Sequence, residues 1–255
     1  MSVLTRILDP HASENAKERV ARLNAELRDA PADDILRAAV EEFPGKIAVL
    51  SSFGAESAAL LHHIAAVDRA TPVLFLETGK HFPETHAHRA DLIDRLNLAD
   101  VRLLRPAEDD LAATDPEGDL WSRSTDACCA LRKTRPLASA LEGFDAWITG
   151  RKRFQSATRL TLPVIELDDD GRFKFNPLAN WTQDDLDAYL DAHDLPRHPL
   201  MAEGYASIGC APCTSPVADG EDVRAGRWRG SDKTECGIHF TADGRMVRGG
   251  PPDAN

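Results

Sequence analysis

The chain has 255 residues, of which 42% are hydrophobic and 28% are charged, the balance of an ordinary globular protein. Its formal net charge of −12 argues against a nucleic-acid-binding protein, although a local group of arginines can still bind a small anion. No apolar run is long enough to span a membrane, and the first residues are too polar for a signal peptide. We therefore expect a cytoplasmic protein whose five cysteines act as ligands or catalysts rather than as disulfides.

Helical and strand periods alternate along most of the chain. The helical period predicts helices at about 13–28, 32–43, 56–67, 83–96, 130–141 and 181–190, the last with Thr182 as its N-cap. Apolar runs predict strands at 46–52, 72–77, 101–104 and 145–149, and a hairpin on the sheet edge at 163–167 and 172–175. The continuous apolar run at 72–77 is typical of a strand buried on both faces. The alternation predicts an α/β fold with a mostly parallel, twisted sheet and flanking helices.

The sequence predicts a division of the chain into three parts. Residues 1–45 form N-terminal helices, and residues 46–218 form the α/β domain that would bind the ligands. Beyond Pro196, proline, glycine and polar residues become frequent, so regular structure is not predicted there. From Asp219 onward, through residues 219–255, we expect a mobile C-terminal tail.

Four of the five cysteines form two pairs far apart in the sequence, Cys128 with Cys129 and Cys210 with Cys213. A disulfide between adjacent cysteines is strained, whereas four thiolates from two segments fit an iron–sulfur cluster or a zinc ion. The fifth cysteine, Cys236, stands apart near the C-terminus and is the first candidate for nucleophilic chemistry.

Polar loops follow three of the predicted strands, and the carboxyl ends of parallel strands are where such sheets bind ligands. The first loop is small and rich in hydroxyls, so its backbone N–H groups suit an anion. The second is a glycine turn, the third carries cations, and a further basic set precedes Cys236. For the first loop the alternative interpretation is a serine-capped turn, and for the cations it is a solvent-facing surface. The residues concerned are Ser51, Ser52 and Gly54, then Glu77, Thr78 and Gly79, then Arg151 and Arg153, and finally Arg224 and Arg227.

In combination, these segments closely resemble the assimilatory adenylyl-sulfate reductases and, more broadly, the phosphoadenylyl-sulfate reductases. The motifs lie between residues 51 and 239: Ser-Ser-Phe-Gly-Ala-Glu-Ser, Glu-Thr-Gly-Lys-His-Phe-Pro-Glu-Thr, Cys-Cys-Ala-Leu-Arg-Lys, Gly-Arg-Lys-Arg-Phe-Gln-Ser, Cys-Ala-Pro-Cys and Glu-Cys-Gly-Ile-His. Both cysteine pairs together with the last motif are highly specific, whereas any one motif alone is not. The resemblance implies a sheet of the adenine-nucleotide-binding, ATP-pyrophosphatase-like type.

The resemblance also implies one 4Fe–4S cluster on Cys128, Cys129, Cys210 and Cys213. It implies that Cys236 attacks the sulfur of adenylyl sulfate, giving AMP and an S-sulfonate from which thioredoxin releases sulfite, in sulfate assimilation and cysteine biosynthesis. Because a thiolate meets repulsion from an anion, nearby cations are expected to offset it. Lys133 follows Cys129 by four residues, hence on the same helical face. The predicted substrate-binding residues also include Arg151, Arg153, Arg224, Arg227 and His239. A homo-oligomer is compatible with the sequence, which does not specify one.

Three alternatives stay open. One is the same reaction on 3′-phosphoadenylyl sulfate, although reductases for that nucleotide typically lack the two cysteine pairs. The second is an ATP pyrophosphatase, which would carry Ser-Gly-Gly-x-Asp-Ser where this chain has Phe53-Gly-Ala-Glu-Ser57. The third is a non-catalytic module with its cysteines on zinc, a function that leaves Cys236 without a role.

Overall fold

One mostly parallel sheet forms the centre of the protein. The computed structural model describes residues 14–156, 159–230, 233 and 237–238. Within them, six strands lie in the order β3-β2-β1-β4-β6-β5, and every neighbouring pair is parallel except β5 with β6. The predicted α/β fold with an edge hairpin is therefore confirmed. The strands are β1 (Ile47–Leu50), β2 (Val73–Leu76), β3 (Val101–Leu104), β4 (Ala146–Thr149), β5 (Ile165–Leu167) and β6 (Phe173–Phe175).

Helices cover both faces of the sheet. Thr182 caps α9 in a reciprocal capping box with Asp185, as predicted. Two short helices, α5 and α6, have too few apolar residues to give a readable period, and the sequence did not predict them. The helices are α1 (Ala16–Leu27), α2 (Ala32–Glu42), α3 (Ser57–Val67), α4 (Pro83–Leu96), α5 (Glu108–Thr114), α6 (Leu120–Arg123), α7 (Thr125–Cys129), α8 (Arg135–Leu141) and α9 (Gln183–Ala192).

The N-terminal helices share the main core instead of forming a separate unit. Leu23 of α1 and Leu36 of α2 are buried in the same apolar cluster as Val49 and Phe175 of the sheet. The Asn24 side chain donates to the carbonyl of Ile165 and accepts from its N–H, as a neighbouring strand would. Helix α1 therefore satisfies backbone groups of the edge strand β5 that would otherwise face outward.

The helix that carries Cys128 and Cys129 begins earlier than predicted. The sequence placed its start at about residue 130, but α7 begins at Thr125, where the Ser124 side chain accepts from the Ala127 N–H. A π-helical segment, Ala130–Thr134, then joins α7 to α8. Pro136 has no N–H to donate, which interrupts the regular ladder at the end of this segment. Wide turns of this kind often occur at functional sites.

Residues 219–230, at the start of the predicted tail, pack against the folded body. Trp228 is 5% exposed, and its backbone N–H donates to the Cys213 carbonyl at 3.0 Å. Thr214 and Arg227 also form an antiparallel bridge. Most of the remaining predicted tail lies outside the described residues. In the described ranges, no helix combines the length and apolar character that a membrane crossing requires.

His198 gives the fold a specific sensitivity to acid. Its ring is 1% exposed, Nδ1 accepts from the Leu200 N–H, and Nε2 donates to Thr85 Oγ1 at 3.0 Å. Burial, with the neighbouring His88, lowers the pKa of His198 to about 4. At pH values between about 4 and about 6.5, the ordinary pKa of histidine, His198 is protonated in the unfolded chain but neutral in the folded chain. The free energy of unfolding should therefore fall as pH falls from about 6.5 toward 4.

Between pH 7 and pH 5, we expect His198 to remove about 1–2 kcal/mol from the free energy of unfolding, measured by urea denaturation. His198→Gln is the comparison, because an amide can accept from Leu200 and donate to Thr85 but does not titrate. Its stability should depend less steeply on pH over this range. Equal pH dependence of the two proteins would refute the assignment.

Candidate functional site

A crevice of about 220 Å³ opens where β1, β2 and β4 end. Its floor and walls are formed by the loops that follow these strands, together with the segment from 206 to 209 and residues near Trp228. The structure brings seven of the predicted substrate-binding residues to this crevice: Ser51, Ser52, Gly54, Lys133, Arg151, Arg224 and Arg227.

The loop after β1 is closely packed. Phe53 adopts a left-handed φ of 47° and is fully buried against Phe75, with ring centroids 5.5 Å apart. The Gly54 N–H donates to the Ser57 hydroxyl at 2.9 Å. A Cβ on Gly54 would lie 3.1 Å from the carbonyl oxygen of Ile208, so glycine permits the close approach of these two loops.

The loop after β4 places its cations in different directions. Arg151 forms an ion pair with Glu166 and hydrogen bonds to Asn176. Lys152 is 1% exposed and donates to Glu56 at 2.6 Å. Burial lowers the pKa of Lys152, and Glu56 opposes that shift. Lys152 and Arg159 both line the crevice, and the sequence did not single out either.

The structure does not bring the other predicted substrate-binding residues to the crevice wall in the described ranges. Arg153 donates to the Leu162 carbonyl at 2.8 Å and to the Asn180 side chain. Glu77 accepts from the Gly79 N–H in a turn beyond β2. The Thr78 hydroxyl lies 3.3 Å from Cys210 Sγ. Cys236 and His239 lie outside the described residues.

Cys128, Cys129, Cys210 and Cys213 line one small cavity together with Trp121, Arg132, Lys133 and Trp228. Among the described residues, no three cysteine, histidine or acidic side chains converge closely enough to hold a single metal ion. A zinc site needs such convergence, because its bonds to sulfur are only about 2.3 Å long. An iron–sulfur cluster places its thiolates further apart, because each binds a different iron atom.

Positive groups surround the sulfur atoms. Burial acts to raise the pKa of Cys210, but Lys133, a hydrogen bond from Thr78 and Arg227 outweigh it, and the net pKa is lowered. Burial and the neighbouring Cys129 raise the pKa of Cys128 to about 11. Arg132 lines the cavity and is paired with buried Asp115 at 2.6 Å, while its Nε has no hydrogen-bond partner among the described residues. A buried cation beside four thiols favours an anionic group in the cavity.

Lys133 joins the two parts of the site, since it lines both the crevice and the cysteine cavity. The spacing of four residues predicts an α-helical turn between Cys129 and Lys133, whereas this turn belongs to the π-helical segment. The lysine is nevertheless placed between the two cavities. A positive charge here acts on the thiols and on an anion in the crevice at once.

Three described residues near Cys236 in the sequence lie close to the two cavities: Lys233, Gly237 and Ile238. Lys233 forms an ion pair with Asp126, two residues before Cys128. Gly237 is buried with a positive φ of 78°, and Ile238 lines the crevice while it packs against the apolar cluster that contains Leu76.

The fold and the site define an α/β protein with a crevice lined by cations at its strand ends and a cavity lined by four cysteines beside it. Residues 46–216 match the phosphoadenosine phosphosulfate reductase domain. The chain belongs to this family, which confirms the resemblance in the sequence.

Relatives and a solved structure support the same assignment. A Mesorhizobium japonicum protein named adenosine 5′-phosphosulfate reductase is 53% identical over 211 residues, which cover 83% of each chain. A Gloeobacter violaceus protein named phosphoadenosine 5′-phosphosulfate reductase is 44% identical over 215 residues, covering 83% of this chain and 89% of the relative. The crystal structure of phosphoadenylyl-sulfate reductase from Candida auris, a phosphate complex, superposes with a TM-score of 0.67 at 28% identity. It covers 79% of this chain and 97% of that chain.

Proposed function

We propose that this protein is an oxidoreductase that reduces adenylyl sulfate to sulfite and AMP in sulfate assimilation, with Cys236 as its nucleophile. The observation that carries the proposal is that Ile238, two residues after Cys236, lines the same crevice as Arg151, Arg224 and Arg227. A cysteine tethered there can meet an anion that those cations bind. The names of several close relatives support the substrate.

In the proposed first step, the Cys236 thiolate attacks the sulfur atom of adenylyl sulfate. A bond forms between the two sulfur atoms, the bond from that sulfur to the bridging oxygen breaks, and AMP leaves with the electron pair. A thioredoxin thiolate then attacks the sulfur of Cys236 and expels sulfite with its electron pair, leaving a mixed disulfide. The second thioredoxin thiol resolves that disulfide, so thioredoxin is oxidised and Cys236 is restored. The cytoplasm, where thioredoxin is kept reduced, is the proposed compartment.

The crevice cations oppose the repulsion between the thiolate and the dianionic substrate. Arg151 is fixed by Glu166 and Asn176, so its guanidinium does not need to be ordered when substrate binds. The Arg227 guanidinium lies 4.5 Å above the Trp228 ring. Fixed charges of this kind stabilise charge development without reorganisation during the reaction.

The paired cysteines would hold a 4Fe–4S cluster, with Arg132 and Lys133 as its neighbouring cations. When bound, such a cluster would tie two distant segments together and place a metal centre next to Lys133. Arg132 also donates to the Thr78 carbonyl at 2.7 Å, while the Thr78 hydroxyl lies 3.3 Å from Cys210 Sγ. These contacts fix the cysteine segments relative to the strand ends.

An activity assay tests the proposal. Protein purified without oxygen should form sulfite from adenylyl sulfate with reduced thioredoxin, and AMP should inhibit by competing for the crevice. The same assay with 3′-phosphoadenylyl sulfate separates the alternative substrate, which should be turned over more slowly. A rate that high concentrations of AMP leave unchanged would contradict the placement of the nucleotide.

Gly209→Ala should weaken AMP binding without unfolding the protein. A Cβ at this position would lie 2.3 Å from Nη2 of Arg227 and would displace the guanidinium from its place above the Trp228 ring. Loss of one such contact should cost about 1.5–3 kcal/mol of binding free energy, measured by isothermal titration with AMP. Gly143→Ala is a matched control, because nothing lies within 4 Å of its added Cβ. Unchanged AMP affinity in Gly209→Ala would argue against a role for Arg227 in binding.

A further inference from the structure

A carboxylate stands in the wall of a crevice otherwise suited to anions. Among the described residues that line the crevice, Glu56 is the one acidic side chain, while six are lysines or arginines. A carboxylate close to a phosphate or sulfate weakens binding by repulsion. Its presence therefore needs a function that outweighs this cost.

The contacts of Glu56 indicate that function. Its Oε2 accepts from Lys152 Nζ and from Gln155 Nε2, each at 2.6 Å. Lys152 also donates to the Gly150 carbonyl at 3.0 Å and is 1% exposed. Glu56 therefore ties the start of α3 to the loop after β4.

Gln155 extends this network to a second cation. Its Oε1 accepts from the Lys152 backbone N–H at 3.1 Å and from Arg159 Nη1 at 2.5 Å. The donation to Glu56 fixes which end of the Gln155 amide faces Arg159. Arg159 is 8% exposed and lines the crevice.

Lys152 and Arg159 are close enough to repel each other, since Arg159 acts to lower the pKa of Lys152. One carboxylate compensates part of this repulsion and leaves net positive charge in this wall. The arrangement keeps Arg159 in place while no ligand is bound.

We propose that Glu56 is a positioning residue for anion binding: it holds Lys152 and Gln155, and Gln155 holds Arg159 against the phosphate or sulfate of the bound nucleotide. The inference rests on the proposed function for the identity of the ligand. It adds that an acidic side chain promotes the binding of an anionic substrate.

Glu56→Gln tests the proposal through the sign of its effect. If Glu56 only repels the anion, this variant should bind AMP more tightly. If it positions Arg159, AMP affinity should fall by about tenfold, the equivalent of one lost hydrogen bond to a charged group. Adenosine, which lacks the phosphate, should bind with unchanged affinity. Both dissociation constants are measured by isothermal titration on the cofactor-loaded protein.

Gln155→Leu provides an independent route to the same result. It keeps the ion pair between Glu56 and Lys152 but removes the contact to Arg159, so AMP affinity should again fall and adenosine affinity should not. The double variant should show little further loss, because both changes act on one network. Glu42→Gln, which removes a carboxylate paired with Arg19 at 2.5 Å on the N-terminal helices, is the matched control.

Tighter or unchanged AMP binding in Glu56→Gln would overturn the proposal. An equal loss of AMP and adenosine affinity would also overturn it, because that outcome indicates a general structural defect. Failure of the wild-type protein to bind AMP would instead contradict the proposed function.

Discussion

Cys236→Ser should lower the rate of sulfite formation by a factor on the order of 10⁴ or more, because a serine hydroxyl cannot replace a thiolate as nucleophile. AMP affinity should stay within about twofold of the wild type, since the crevice cations are unchanged. Measured turnover with thioredoxin and titration with AMP separate the two effects. A variant that still forms sulfite at the wild-type rate would exclude Cys236 from the chemistry.

Cys129→Ser should remove the metal centre and destabilise the fold. The intact protein should contain iron and acid-labile sulfide at about four each per chain, and the variant close to none. The free energy of unfolding should fall by several kcal/mol, because metal binding is coupled to folding and here joins α7 to the distant Cys210–Cys213 turn. Metal analysis and denaturation measure both effects.

Cys236→Ser is the matched control for this experiment, since it removes a thiol outside the proposed ligand set and should keep its iron. Stoichiometric zinc without sulfide in the wild-type protein would contradict the cluster.

The sheet could be predicted because each strand is a short apolar run between helical periods. Every residue of β2 and β4 is buried, so their apolar composition is visible without knowledge of any neighbour. Residues 219–230 could not be predicted in this way. Their order comes from long-range contacts such as that of Trp228 with Cys213, which leave no period in the sequence.

The position of the crevice also followed from the sequence, since loops after parallel strands meet at one edge of the sheet. The directions of individual side chains did not. Arg151, Lys152 and Arg153 are consecutive cations, and their directions are set by distant partners: Glu166, Glu56 and Asn180. In the sequence Glu56 belongs to a loop motif, and its ion pair with Lys152 is not apparent because the two residues lie 96 positions apart.

Mass spectrometry of the protein after incubation with adenylyl sulfate, without any reductant, tests directly whether Cys236 is the nucleophile. We expect one added sulfonate group, about 80 Da, on the peptide that contains Cys236, together with release of one AMP. Reduced thioredoxin should then remove the group as sulfite. An adduct on Cys128, Cys129, Cys210 or Cys213, or sulfite formation without any adduct on Cys236, would contradict the assignment of Cys236 as the nucleophile.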